Sequence, residues 1–213
     1  MRVSDTSRVL FVHVPKTGGS TIDGFFDREV PDARTVAEIP RHSPYGVILR
    51  RAPTLADYWS FGFVRNPWAR MVSWWAMVNK VFDNAEAGQE QALRKLRDYP
   101  QAWLREGALR HDFSAFVLQG TETIPKVGRP QLRTLSAPGG RTVDFIGRIE
   151  NFDHDTAVVR EKLGLPAIEA APRRNTSSHG HYSDYYDDTT RARIAEVFAP
   201  DIDAFGYTFD DQR

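Results

Sequence analysis

An apolar run, Val9-Leu10-Phe11-Val12-His13-Val14, breaks abruptly at Pro15-Lys16-Thr17-Gly18-Gly19-Ser20-Thr21, and an amphipathic segment follows. This order predicts a strand over 9–14, a tight loop, and a helix over 20–29. Such a loop aims successive backbone N–H groups at one point, where the helix N-terminus adds partial positive charge. Glycines let the main chain come close to an anion, and Lys16 puts a formal charge beside it. The loop is built to hold a phosphate or a chemically similar group.

The Walker A pattern does not fit. That loop reads G-x-x-x-x-G-K-[ST], with the lysine directly before the hydroxyl residue. Here Lys16 precedes the glycines, and no stretch of the chain has the Walker order. The next strand, Trp59-Ser60-Phe61-Gly62-Phe63-Val64, ends in Arg65. Nucleoside triphosphatases place an aspartate for magnesium at such a strand end. A cation there suits direct contact with an anion and does nothing for a metal. Asn66-Pro67 then reads as an N-cap with proline at the first helical position, opening a helix over 67–81. Arg70 and Ser73 are three apart and share a face. Arg65, Arg70 and Ser73 are therefore expected to converge on one polar site, while Met71, Val72 and Trp75 pack inward.

Together these segments resemble the sulfotransferases that use 3′-phosphoadenosine-5′-phosphosulfate (PAPS), in particular the family that includes the carbohydrate sulfotransferases. Pro15, Lys16, Thr17, Gly18, Gly19, Ser20 and Thr21 are similar to that family's loop for the 5′-phosphosulfate. The stretch from Phe63 to Ser73 is similar to its 3′-phosphate motif, with Arg65 and Ser73 in the positions that hold that group. Asp144 to Phe152, and the tail from Tyr185 to Tyr207, resemble further family segments, with weak coverage between about 80 and 125. The basic loop Arg173-Arg174-Asn175-Thr176-Ser177-Ser178 resembles a late segment that closes over the nucleotide, which makes Arg174 and Ser178 candidate 3′-phosphate contacts.

The resemblance implies transfer of a sulfuryl group from PAPS to an acceptor hydroxyl, on a carbohydrate, a glycolipid or another small hydroxylated molecule. Adenosine 3′,5′-bisphosphate is the product. A sulfuryl group carries less charge than a phosphoryl group, so a metal is not obligatory. Lys16 and the loop amides would stabilise charge growing on the bridging oxygen. A hydroxyl acceptor needs a general base, and His42, between the two cofactor motifs, resembles the family's histidine in position. His111, Asp23 and Glu29 are the fallback candidates. His13 is read as a packed histidine in the first strand, Glu150 as ordering a turn. The pair His179 and His181 with Asp184 lacks a structural-zinc pattern. The rival readings are a metal-dependent nucleoside kinase or triphosphatase, against which Arg65 and the missing Walker order stand, and a non-catalytic nucleotide-binding module.

At 213 residues the chain fits one domain, 1–213, with a substantial core. Lys plus Arg equals Asp plus Glu, at 28 each, so no global field favours nucleic acid or an anionic membrane. Any anion affinity must come from local arrangement. The absence of cysteine excludes disulfides and cysteine nucleophiles. No run of about 18 apolar residues occurs and the N-terminus lacks a signal h-region, so the expectation is a soluble, cytoplasmic protein. Strands at 60–64 and 143–147 alternate with helices at 67–81, within 88–119 (interrupted near Pro100, with Asp112 as the cap of the helix through Phe116), at 153–163 and at 188–198. Residues 31–53 and 120–140 read as irregular. The alternation predicts an α/β, P-loop-like domain whose central, mainly parallel sheet is flanked by helices, with ligand loops at the strand C-termini.

Overall fold

A computed structural model of the chain describes residues 1–166 and 180–209. The segment 173–178, with the expected contacts Arg174 and Ser178, lies outside the described residues. The elements, numbered along the chain, are β1 Arg2–Ser4, β2 Val9–Phe11, α1 Gly19–Glu29, α2 Tyr45–Arg51, β3 Trp59–Val64, α3 Pro67–Glu86, α4 Glu90–Asp98, α5 Pro100–Ala108, α6 Phe113–Thr123, α7 Gln131–Leu135, β4 Phe145–Arg148, α8 Phe152–Lys162, α9 Asp188–Val197 and α10 Ala199–Phe205. They group into two compact units, residues 1–65 with 131–176, and residues 66–130 with 177–213. No helix among the described residues is long and apolar enough to cross a membrane.

The first unit is an α/β, P-loop-like fold built on a four-stranded sheet in the order β1-β2-β3-β4. Strands β2, β3 and β4 run parallel, and β1 joins the edge antiparallel to β2. Five consecutive residues of β3, Ser60 to Val64, are buried, as expected of a central parallel strand covered on both faces. Val9, Phe11, Phe61 and Phe63 pack with Ile22, Phe25 and Phe26 of α1 and Phe152 and Val159 of α8. Each such apolar side chain contributes roughly 1.5–3 kcal/mol on burial.

Several boundaries differ from the sequence expectations. The first strand is shorter than expected: its last contact with β3 is the Val12 N–H, which donates to the Phe61 carbonyl at 2.8 Å before the chain turns at Pro15. The last strand starts two residues late. Val143 donates its N–H to the Leu135 carbonyl, while the Asp144 carboxylate accepts both the N–H and the hydroxyl of Ser60 at 2.7 Å. Two short helices, α2 and α7, occupy segments read as irregular.

The second unit is helical. Asn66 caps α3, its side-chain oxygen accepting from the N–H groups of Trp68 and Ala69 at 3.1 and 3.3 Å, with Pro67 at the first position. The helical stretch expected over 88–119 is divided among α4, α5 and α6. Pro100 opens α5, where its missing N–H costs nothing, and Asp112 caps α6 through the Ala115 N–H. Arg70, expected to share a polar site with Arg65 and Ser73, is buried on α3. Its guanidinium is buried over the rings of Trp74 and Phe198, at 5.3 and 5.6 Å. Burial lowers its pKa to about 10 against the opposing pull of Asp201. Trp75 is half-buried rather than core.

Candidate functional site

The 12–21 segment of the first unit leaves β2 and turns sharply into α1. Lys16 and Gly18 both take left-handed backbone angles, with φ of +71° and +75°. For a lysine that geometry costs of order 1–3 kcal/mol and is the kind of strain found at ligand clamps. Thr17 is buried and donates its hydroxyl to the Val14 carbonyl at 2.9 Å, which pins the turn from beneath. Gly18 occupies the N-cap of α1 without a side-chain cap. Among the described residues, no hydrogen bond uses the amide N–H groups of Lys16, Thr17, Gly18, Gly19 or Ser20; the first N–H engaged is that of Thr21, to the Gly18 carbonyl at 2.9 Å. A run of amides in this conformation, at the N-terminus of an 11-residue helix, is an anion nest.

Neither glycine is replaceable. A Cβ on Gly18 would stand 2.6 Å from Ile149 Cδ1, and one on Gly19 would stand 1.9 Å from His13 Nε2. Both are therefore demanded by close packing as well as by the turn.

Lys16 is half-buried, and its pKa falls to about 8, mainly through burial and secondarily through the positive charge of Arg65. The two cations of the separate sequence motifs thus lie close enough in the first unit to disfavour each other's charge, an arrangement that an anion would relieve. The linkage has a definite sign. Between about pH 8 and the ordinary lysine range near 10.5, the unfolded chain binds a proton at this position that the folded chain does not. Ligand-free stability therefore gains a rising contribution across that window. Denaturant titrations of wild type and Lys16→Met from pH 7.5 to 10.5 should show this slope in the former and lose it in the latter.

Arg65 follows the last residue of β3 and is half-buried. Its backbone is held by a side chain that sequence reasoning missed. Gln131, fully buried at the start of α7, accepts the Arg65 N–H at 3.0 Å and donates to the Arg65 carbonyl at 2.8 Å. One side-chain amide thereby replaces a neighbouring strand. One strand over, Val64 pairs with Arg148, whose N–H donates to the buried Asp155 carboxylate at 2.6 Å. Ser73, buried on α3, belongs to the second unit.

His42 is exposed, and its Nδ1 lies 3.3 Å from the carbonyl oxygen of His13. Because that oxygen can only accept, Nδ1 carries the proton and Nε2 is the basic nitrogen. The two imidazole rings meet edge to face at 4.5 Å. Beneath them, Arg41 Nε donates to His13 Nδ1 at 3.0 Å, and Arg41 also pairs with Asp23 of α1. Asp23 lies 3.6 Å from Arg2 as well. Held between two guanidiniums, it serves structure better than proton abstraction. Glu29 sits at the far end of α1 and pairs with Arg160 at 2.7 Å, which removes it from the loop by the length of the helix. His111 is an exposed residue of the second unit. A surface cavity of about 370 Å³ lined by Ala56, Trp59, Arg141 and Asp144 lies where β3 and β4 begin, away from the strand ends that lead to Lys16 and Arg65.

The chain matches a family model described as "Sulfotransferase family" over residues 1–208. No curated protein matches the sequence.

Proposed function

The chain belongs to the sulfotransferase family, and from that premise we propose that it moves a sulfuryl group from PAPS to a hydroxyl of a carbohydrate or glycolipid acceptor. The observation that carries this reading is the unengaged run of amides from Lys16 to Ser20 with the Lys16 and Arg65 charges beside it. That set suits a multiply charged anion at the β2–α1 turn and a second anionic group near the end of β3.

When bound, PAPS supplies an activated sulfuryl group on a phosphate leaving group. The loop amides of residues 16–20 would hold its phosphosulfate, and Lys16 would stabilise the charge that develops on the bridging oxygen. His42 Nε2 would accept the proton of the acceptor hydroxyl. By the family resemblance Arg65 and Ser73 would each contact the 3′-phosphate, and Arg174 and Ser178 are proposed as further contacts. Positioning and electrostatics do the work, and no magnesium ligand is required of these residues.

Thermal shift assays with adenosine 3′,5′-bisphosphate against ATP with magnesium test the reading, followed by transfer of labelled sulfate from PAPS to a glycan panel. The expected outcome is preferential stabilisation by the bisphosphate and label transfer to at least one hydroxylated acceptor. Arg65→Ala should weaken bisphosphate binding by about 10- to 150-fold, the equivalent of one charge-assisted hydrogen bond. Preference for ATP with magnesium would favour a kinase or triphosphatase. Bisphosphate binding with no transfer to any acceptor would leave a nucleotide-binding module.

A further inference from the structure

His13 packs against the first residue of α1 with a ring nitrogen that no group among the described residues uses. The ring is 3% exposed. Its Nδ1 receives the Arg41 Nε–H at 3.0 Å, and a guanidinium can only donate. The Asp23 carboxylate, 3.6 Å away, lies on that same Nδ1 side. Burial first, and then the charges of His42, Arg41, the amino terminus and Lys16, hold the imidazole in its neutral form. A neutral ring whose Nδ1 accepts must carry its proton on Nε2. That Nε2–H donates to no acceptor among the described residues. It lies against the first residue of α1, since a Cβ on Gly19 would stand 1.9 Å from Nε2.

The sealed side-chain atoms without a partner among the described residues are Arg2 Nε, Thr156 Oγ1 and Arg160 Nη1, so Nε2, unpartnered but not among them, keeps an opening through which an acceptor can reach it. The five amides of residues 16–20 are unengaged at the same turn. We propose that His13 is a further ligand-binding residue, its Nε2–H donating to an oxygen of the phosphate or sulfonate held by the α1 N-terminus, and that Arg41 is the positioning residue that fixes the required tautomer. The proposal rests on the donor reading above and adds to it a side chain outside the loop. It also gives the Asp23–Arg41 pair a purpose: Asp23 holds the guanidinium in place, and the guanidinium aims the imidazole.

Long-range proton–nitrogen correlation spectra of the full chain labelled with ¹⁵N-histidine test this directly. Without ligand, the His13 ring should show the neutral Nε2–H pattern. On saturation with adenosine 3′,5′-bisphosphate its Nε2–H proton should move downfield and exchange more slowly. His13→Phe, which removes both nitrogens, should weaken bisphosphate binding about five- to twenty-fold. Arg41→Met, with His13 still in place, should shift the ring toward a mixture of tautomers, and this variant keeps the test open if His13→Phe does not fold. Bisphosphate binding to the wild type that leaves the Nε2–H signal unmoved, or unchanged affinity in His13→Phe, overturns the proposal while the donor reading stands. Failure of the wild type to bind the bisphosphate at all overturns the donor reading instead.

Discussion

Lys16→Ala is expected to lower the rate of sulfuryl transfer by about 10²- to 10³-fold, the usual loss when one donor to a developing oxyanion is removed. Bisphosphate affinity should fall far less. In the proposed complex the ground-state phosphate would meet five loop amides as well as the ammonium, whereas the negative charge growing on the bridging oxygen would need a cation at that spot. An interaction made mainly in the transition state lowers kcat and kcat/KM together and leaves ligand affinity nearly intact. Single-turnover rates and calorimetric titration with adenosine 3′,5′-bisphosphate separate the two quantities. A parallel loss in both would recast Lys16 as a simple anchor. Retained turnover would remove it from the chemistry. Because the backbone at Lys16 is left-handed, Lys16→Met is the fitting control: it keeps the side-chain bulk and the same backbone strain while deleting only the charge.

The second large effect is expected at His42. Loss of a general base costs about 10²- to 10⁴-fold in turnover, and His42→Ala should show a loss in that range. The side chain is exposed, so folding stability should change little, which makes the comparison a clean one. The base must be unprotonated, so wild-type activity should fall toward acid pH, and the variant should lose that acid limb. Measuring turnover from pH 5 to 8 in both proteins decides the matter. Near-normal turnover in His42→Ala, with the acid limb intact, would place the proton elsewhere.

The parts of this structure that were legible beforehand are those written into a few consecutive residues. The break from apolar strand to Pro15-Lys16 and paired glycines announced the nest. Asn66-Pro67 and Asp112 announced helix starts, and the side chains of Asn66 and Asp112 do cap them. What escaped has a common cause. Strand β1 is three residues long, too short for any periodicity to register, and exists because Val9–Phe11 offers it an edge. Helix α2 begins after Pro44 in a segment whose four prolines, 31, 40, 44 and 53, read as irregular, and its Ile48 and Tyr45 are fixed by burial rather than propensity. Arg70 shares a helix face with Ser73 in projection, and its packing over the rings of Trp74 and Phe198 is a tertiary contact that the spacing does not carry. The His13–Arg41–Asp23 contacts bring together a strand end, a loop and a helix, separations that no local pattern encodes.

Gln131 has a consequence for how such a protein can change. Its one amide ties the point where the chain departs from the sheet unit, Arg65, to the point where it returns, 66 positions later. The intervening stretch is in effect a closed parenthesis: its ends are fastened to each other by contacts that none of its own helices supply. Chain inserted or deleted between tied ends adds only a slowly growing closure entropy. Lineages could therefore lengthen or trim that excursion while leaving the rim of β3, and the arginine it presents, where they are.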